Sequence, residues 1–176
     1  MVNNLKSNKM KRQFSLLLVF FVCGLFHVVA QDIVFPPAAE GTGWVDVTKA
    51  PYNAPKDGTG DATAALNAAL IANIGTGRRI YLPNGTYLIS STIVWPDQAN
   101  GNLPSAGFLQ GQSRTNVIIK LKDNCPGFAN ASAPKAMLDT GHDVAQNFAN
   151  CVKNVTINSG VGNVGAIGLR YYSNNT

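Results

Sequence analysis

Asp139, His142 and Asp143 fall within the run LDTGHDV, just after a predicted strand, and form the densest group of titratable side chains in the sequence. An imidazole there can act as acid or base near neutral pH. The same residue types also favour a solvated turn, and on turn chemistry that is the stronger reading. Hydrolysis of a glycosidic bond needs two carboxyl groups facing one groove, one to protonate the leaving oxygen and one to activate water or attack carbon. The supply is thin: Glu40, Asp97, Asp123, Asp139 and Asp143 are spread over a lead-in, loops and strand ends. A lyase would need a Lys or Arg base and, commonly, several Asp around Ca2+. No such Asp cluster is visible. The catalytic residues are therefore unassigned, and no cofactor or metal is expected unless the whole protein is a Ca2+-dependent lyase. Gly111 in LQGQSR does not complete a phosphate-binding loop.

The first thirty residues read as an export signal. Lys6, Lys9, Lys11 and Arg12 precede the apolar run 14–29, and Val28, Val29 and Ala30 resemble a cleavage site before Gln31. The run is shorter than the ~20 residues a membrane span requires, so the reading is a secreted protein with no membrane association after cleavage. The segment carries four of the 14 Lys and Arg and none of the nine acids, leaving ten cations against nine acids, a net of +1. The remaining cations are scattered, so no nucleic-acid partner is implied.

Cys23 lies in the signal. Cys125 and Cys151 remain, and in an oxidising compartment they either form a disulfide or stand as two separate thiols. Two Cys and one His without paired spacing make no zinc site. Asn84, Asn130, Asn154 and Asn174 begin Asn-x-Ser/Thr sequons, which a chain rich in turn residues also produces by composition.

Residues 57–70, DGTGDATAALNAAL, punctuate a turn before an Ala/Leu helix. Asp57 is placed to close an Asx turn, and Gly58 and Gly60 to take positive φ. Asp61 is placed as an N-cap for the N–H groups of Thr63 and Ala64. The helix is expected over 62–72. Short β-branched runs predict strands at 44–47, 79–82, 86–89, 92–95, 108–110, 117–121, 136–138, 152–157 and 167–172. No second helical period supplies crossovers for a doubly wound sheet. Strand centres near Ile80, Leu109, Leu138, Val155 and Leu169 recur at intervals of 29, 29, 17 and 14, close to the coil lengths of repeat architectures. Asn84-Gly85 offers the alternative of a hairpin in an antiparallel sandwich or jelly roll.

Together, DGTGDATAALNAAL, RRIYLPNGTYLIS and GFLQGQSRTNVIIKL resemble the N-terminal coils of the pectate lyase-like superfamily. Asp57, Gly58, Asp61, Thr63, Leu82, Pro83, Gly85, Tyr87, Leu109 and Gly111 match that opening. Ala62 departs from it, where relatives often place a second acid. The resemblance covers 45–172 and is closest to the rhamnogalacturonase/epimerase-like branch, which also includes tandem-helix exo-β-1,3-glucanases.

It implies an all-β, right-handed parallel β-helix sealed by a capping α-helix, in which Asp57 and Asp61 are structural. The domain plan is a signal at 1–30, an extended lead-in at 31–43 and N-terminal coils at 44–176. A polysaccharide hydrolase is implied, with a lyase, an epimerase or a noncatalytic glycan-binding solenoid as alternatives; a phage tailspike is opposed by the export signal. The sequence stops directly after a strand, so further coils carrying the catalytic groove are expected beyond Thr176, and 1–176 alone is expected to be inactive. Among the aromatic residues Trp44, Trp95, Tyr81, Tyr87, Tyr171 and Tyr172, the last two are the sugar-stacking candidates, with strand alternation sending one outward and one inward.

Overall fold

The computed structural model describes residues 43–96, 107–141 and 149–172, all inside one compact unit, Asp32–Thr176. The elements in chain order are β1 (Trp44–Asp46), β2 (Asp57–Asp61), α1 (Thr63–Asn73), β3 (Arg79–Leu82), β4 (Gly85–Ile89) and β5 (Ile93–Val94). They continue with β6 (Phe108–Gly111), β7 (Val117–Leu121), β8 (Lys135–Asp139), β9 (Cys151–Lys153), β10 (Thr156–Asn158) and β11 (Ala166–Arg170). Among these strands every pairing is parallel. They form a first sheet β1-β3-β6-β9, a second β2-β4-β7-β10 and a third β5-β8-β11. The chain visits the three sheets in the same order on each circuit, as β3-β4-β5, β6-β7-β8 and β9-β10-β11. This is a parallel β-helix. Ordinary parallel strands are joined by helical crossovers; here the other two faces of each coil make the return, which is why one helix suffices among the described residues.

Inward-facing side chains stack one above another. Ile80, Leu109 and Val152 share a column in the first sheet, Tyr87, Ile119 and Ile157 in the second, and Ile93, Leu138 and Leu169 in the third. All nine belong to one apolar core, joined by Leu66, Ala69 and Leu70 of α1. The alternation buried, half-buried, buried along β7 is the period-two signature of a strand with one face in that core. Burial raises the Tyr87 phenol well above its usual range, and its hydroxyl donates to the Pro83 carbonyl at 2.7 Å.

The strands expected at 79–82 and 117–121 match β3 and β7, and most others differ by one or two residues at their ends. The run 152–157 instead divides into β9 and β10 around Asn154, whose φ of 55° turns the corner between sheets. The Ile80 to Leu109 interval is a true coil, because the two residues pair. The next interval is not: Leu138 lies in the third sheet and pairs with Leu169, while Leu109 is followed by Val152. Asn84-Gly85 makes no hairpin, since β3 and β4 lie in different sheets. Gly85 is required by crowding, for a Cβ there would stand 2.6 Å from the Lys56 carbonyl oxygen.

The stretch Asp57–Asp61 is itself a strand, running beside β4 with a register shift. The Asp57 carboxylate still closes the expected turn, accepting N–H bonds from Thr59 at 2.9 Å and Gly60 at 3.0 Å. Gly58 has φ +79°; Gly60 is not at positive φ, and its small size matters because a Cβ would meet Pro55 at 2.8 Å. Asp61 is not the N-cap, a position held by Ala62. It stands one residue earlier, accepts the Thr63 N–H at 2.8 Å and takes a second, short bond from the Ser90 hydroxyl in place of the Ala64 N–H. Partial burial opposes its ionisation, but the bonds from Ser90 and Thr63 outweigh that and lower its pKa.

Cys125 and Cys151 are free thiols, so the bridged alternative does not hold. Cys125 sits in the turn after β7, its Sγ 3.1 Å from the Ser90 carbonyl oxygen, while Cys151 opens β9 in the first sheet.

Two tests follow from the corners. A Cβ on Gly111 would overlap the Asn154 carbonyl oxygen of the next coil, whereas one on Gly168 would meet Ile157 Cγ2 at 3.4 Å. Gly111→Ala is expected to cost about 1–3 kcal/mol by overpacking, and Gly168→Ala less than about 0.5 kcal/mol; equal denaturation midpoints would contradict this. The N–H groups of Gly60 and Thr59 hold the Asp57 carboxyl down to about 2. A depressed carboxyl contributes stability above its unfolded pKa of about 3.9 and loses it as pH falls toward about 2. Asp57→Asn should therefore flatten the acid limb of the stability curve in that window, read by denaturant titration at several pH values.

Candidate functional site

In the third sheet Ile93, Leu138 and Leu169 point inward, so their neighbours Val94, Asp139 and Arg170 form the outward column, one residue per coil. Asp139 is only 3% exposed despite facing outward. Arg170 lies directly over it, with Nε donating to Asp139 Oδ2 at 3.1 Å and Nη2 making a shorter ion pair to the same oxygen. Asp139 Oδ1 accepts the Gly141 N–H at 3.2 Å. Hydrogen bonding to Asp139 raises the pKa of Arg170, whose side chain is 37% exposed.

The chain beyond each strand end is tied to the same place. The Tyr172 N–H donates to Thr140 Oγ1 at 2.6 Å, and the Thr140 hydroxyl donates to the Tyr172 carbonyl at 3.1 Å. Asn150 joins the coils, with Oδ1 accepting the Gly107 N–H at 3.1 Å and its carbonyl accepting the Tyr171 hydroxyl. The expected alternation of Tyr171 and Tyr172 is not seen: both lie past the end of β11 and are exposed, at 46% and 36%. Trp95, Tyr81 and Tyr87 are buried. Burial and the Asp46 charge push the Tyr81 phenol up to about 12. Trp44 alone of the four remaining aromatic candidates is partly exposed.

The triad read from LDTGHDV is only partly placed, since His142, Asp143 and the carboxylate candidates Glu40 and Asp97 lie outside the described residues. Asp123 is engaged elsewhere, 3.6 Å from Lys120 and accepting the Val161 N–H at 2.9 Å. Among the described residues no three His, Cys, Asp or Glu side chains gather as a metal site. A carboxylate already ion-paired and buried is poorly suited to protonate a leaving group, while an arginine with exposed donors can orient an anion or a hydroxyl. The exposed charged group on the described face is the Arg170 guanidinium. Arg170, Thr140 and Asn150 escaped sequence reasoning, because only the coil length brings Arg170 above Asp139.

Of the sequons, Asn130 is exposed and accepts the Ser132 N–H at 2.9 Å, Asn84 is partly buried, and Asn154 is half-buried at its corner. Asn174 lies outside the described residues.

Removing Arg170 would strand a buried charge. Arg170→Ala is expected to destabilise the protein by about 2–4 kcal/mol, while the paired change Asp139→Leu/Arg170→Met should recover most of that loss. If the double variant were no more stable than Arg170→Ala in urea titration, the ion pair would not be the cause.

Among solved structures, the chain is similar to ORF18 of Geobacillus virus E2, at 21% identity and a TM-score of 0.53 over 73% of this chain and 23% of that one. It also matches the A-module of the Azotobacter vinelandii mannuronan C-5 epimerase AlgE4, at 18% identity and a TM-score of 0.45 over 72% of this chain and 31% of that one. The chain therefore spans less than a third of the length of either structure. No curated protein matches it by sequence. The profile of the rhamnogalacturonase A/epimerase, pectate lyase-like family matches residues 44–176, all of the sequence after its first forty-three residues, and the chain belongs to that family.

Proposed function

We propose that this chain is the beginning of an exported polysaccharide-active enzyme, a hydrolase, with the signal at 1–30, the lead-in at 31–43 and the first coils of a right-handed β-helix at 44–176. The observation that carries the reading is the family match across those coils. The chain covers 23% of the length of the viral structure and its described third-sheet face carries no free carboxylate pair, so this reading assigns the catalytic groups to further coils. α1 is the cap of the first coil. Supporting that role, it follows β2 where later coils place a third-sheet strand, and its Asn67 serves the free edge of β5: Oδ1 accepts the Val94 N–H at 2.9 Å and Nδ2 donates to the Thr92 carbonyl at 3.2 Å. Unpaired strand edges need such cover.

A second reading, lyase or epimerase, is favoured by Arg170, because such chemistry on a uronate uses a cation beside the carboxylate and does not need two acids. A glycan-binding solenoid is the third. Incubating the full-length protein with β-1,3-glucan, homogalacturonan and alginate separates them. New reducing ends without unsaturated products are expected. Unsaturated uronates would replace the hydrolase by a lyase, inversion at C5 without chain cleavage by an epimerase, and retention of polymer with no product by a binding protein.

A further inference from the structure

A cavity of about 230 Å³ opens beside β1, at the start of the first sheet and away from the Asp139–Arg170 column on the third. Its wall comes from Gly43, Trp44, Asp46, the 49–52 segment, Asn73 and Arg78. The aromatic walls are held in place. Trp44 meets Tyr81 edge to face at 5.3 Å between centroids, and the Arg79 guanidinium lies 5.3 Å from the Trp44 ring centre. Tyr52 is fixed by its hydroxyl, which accepts a bond at 2.8 Å from Nδ2 of the buried Asn73.

The charges are not balanced in the same way. Asp46 is the acid of the wall, and its Oδ1 is already occupied by the Thr48 N–H at 2.9 Å and the Thr48 hydroxyl at 2.7 Å. Lys49 and Arg78 are exposed at the rim, and neither takes part in an ion pair with any described residue. Lys49 and Arg78 outnumber the Asp46 carboxylate, and a net positive charge above a rigid aromatic wall favours a ligand with an apolar ring face and an anionic substituent. A sugar ring offers the face through its axial C–H bonds, and a carboxylate or sulfate supplies the charge. The volume suits one such ring.

We propose that this cavity is an auxiliary binding site for a single acidic sugar residue of a polysaccharide, with Trp44 and Tyr52 bounding the ring and Lys49 and Arg78 holding its anionic group. The ligand class rests on the polysaccharide reading above; the position does not. A site here, on a different sheet from the Asp139–Arg170 face, would tether an acidic polymer to the first coil independently of any cleavage.

Trp44 gives the readout, since Trp95, the other tryptophan of residues 1–176, is fully buried, and the difference between wild type and Trp44→Phe isolates the Trp44 signal. Fluorescence of the full chain is titrated with digalacturonate and with its neutral counterpart, digalactose. Saturable quenching by the acid at low millimolar concentration is expected, weakened roughly tenfold by added salt, by the neutral sugar and by Lys49→Ala/Arg78→Ala. Trp44→Phe should abolish the signal while a calorimetric titration of that variant still shows binding. No binding by the wild type, equal binding of both sugars, or an unchanged double variant would overturn the site. Product analysis with the full-length protein runs beside it: products formed without first-coil binding would remove this inference alone, and binding without products would remove the enzyme reading alone.

Discussion

Parallel strands stacked in register force each residue to share a column with residues of the neighbouring coils at about 4.8 Å, the interstrand spacing. Every side chain must therefore tolerate what stands directly above and below it. Inward this favours apolar repetition, as in Ile80–Leu109–Val152 or Ile93–Leu138–Leu169. Outward it rewards alternation of unlike partners, since like charges at that spacing repel. Arg79 stands between Trp44 and Phe108, its guanidinium 5.3 and 5.9 Å from the two ring centres. Arg170 stands on Asp139. Both cations are placed by the stack.

The same constraint governs the corners, where backbone from consecutive coils comes into contact and side chains must be small or must supply hydrogen bonds. Gly85, Gly111 and Gly165 are sites where a Cβ would collide with backbone of a neighbouring segment. Asn163 takes the other solution. Buried in the turn before β11, it accepts the Cys125 N–H at 2.7 Å and donates to the carbonyls of Lys122 and Ser159 at 2.9 and 2.7 Å. A buried amide satisfied this fully fastens one coil to the next, whereas a partly satisfied one would weaken the stack.

Existence of strands was legible because β-branched and aromatic runs are separated by turn residues, and α1 because its Ala and Leu residues fall at helical spacing. Assignment of strands to sheets was not. The return paths differ in length, so Ile80 and Leu109 are 29 residues apart while Leu109 and Val152 are 43 apart, and no fixed period marks which strand lies over which. Asp57–Asp61 carries only turn signals in its sequence, since Asp and Gly are depleted in strands; its pairing with β4 is imposed by the neighbouring coil. For the site, Asp139 was visible as a candidate, but its partner Arg170 is 31 residues downstream. Without the register an ion pair across coils has no sequence signature.

Column geometry also bears on the acid–base question. The rungs next to Asp139 are Val94 and Arg170, so no carboxylate can stand one coil away from it in that column. Retaining glycosidases hold their two carboxyl groups at roughly 5–5.5 Å, close to a single coil step, whereas inverting enzymes hold them at about 6.5–9.5 Å, closer to two steps. A double-displacement pair built on Asp139 within this column is therefore excluded by its neighbours. Under the proposed hydrolase reading, Asp139 serves to anchor Arg170 at the outer face, and the acid and base of the reaction belong to other columns or later coils.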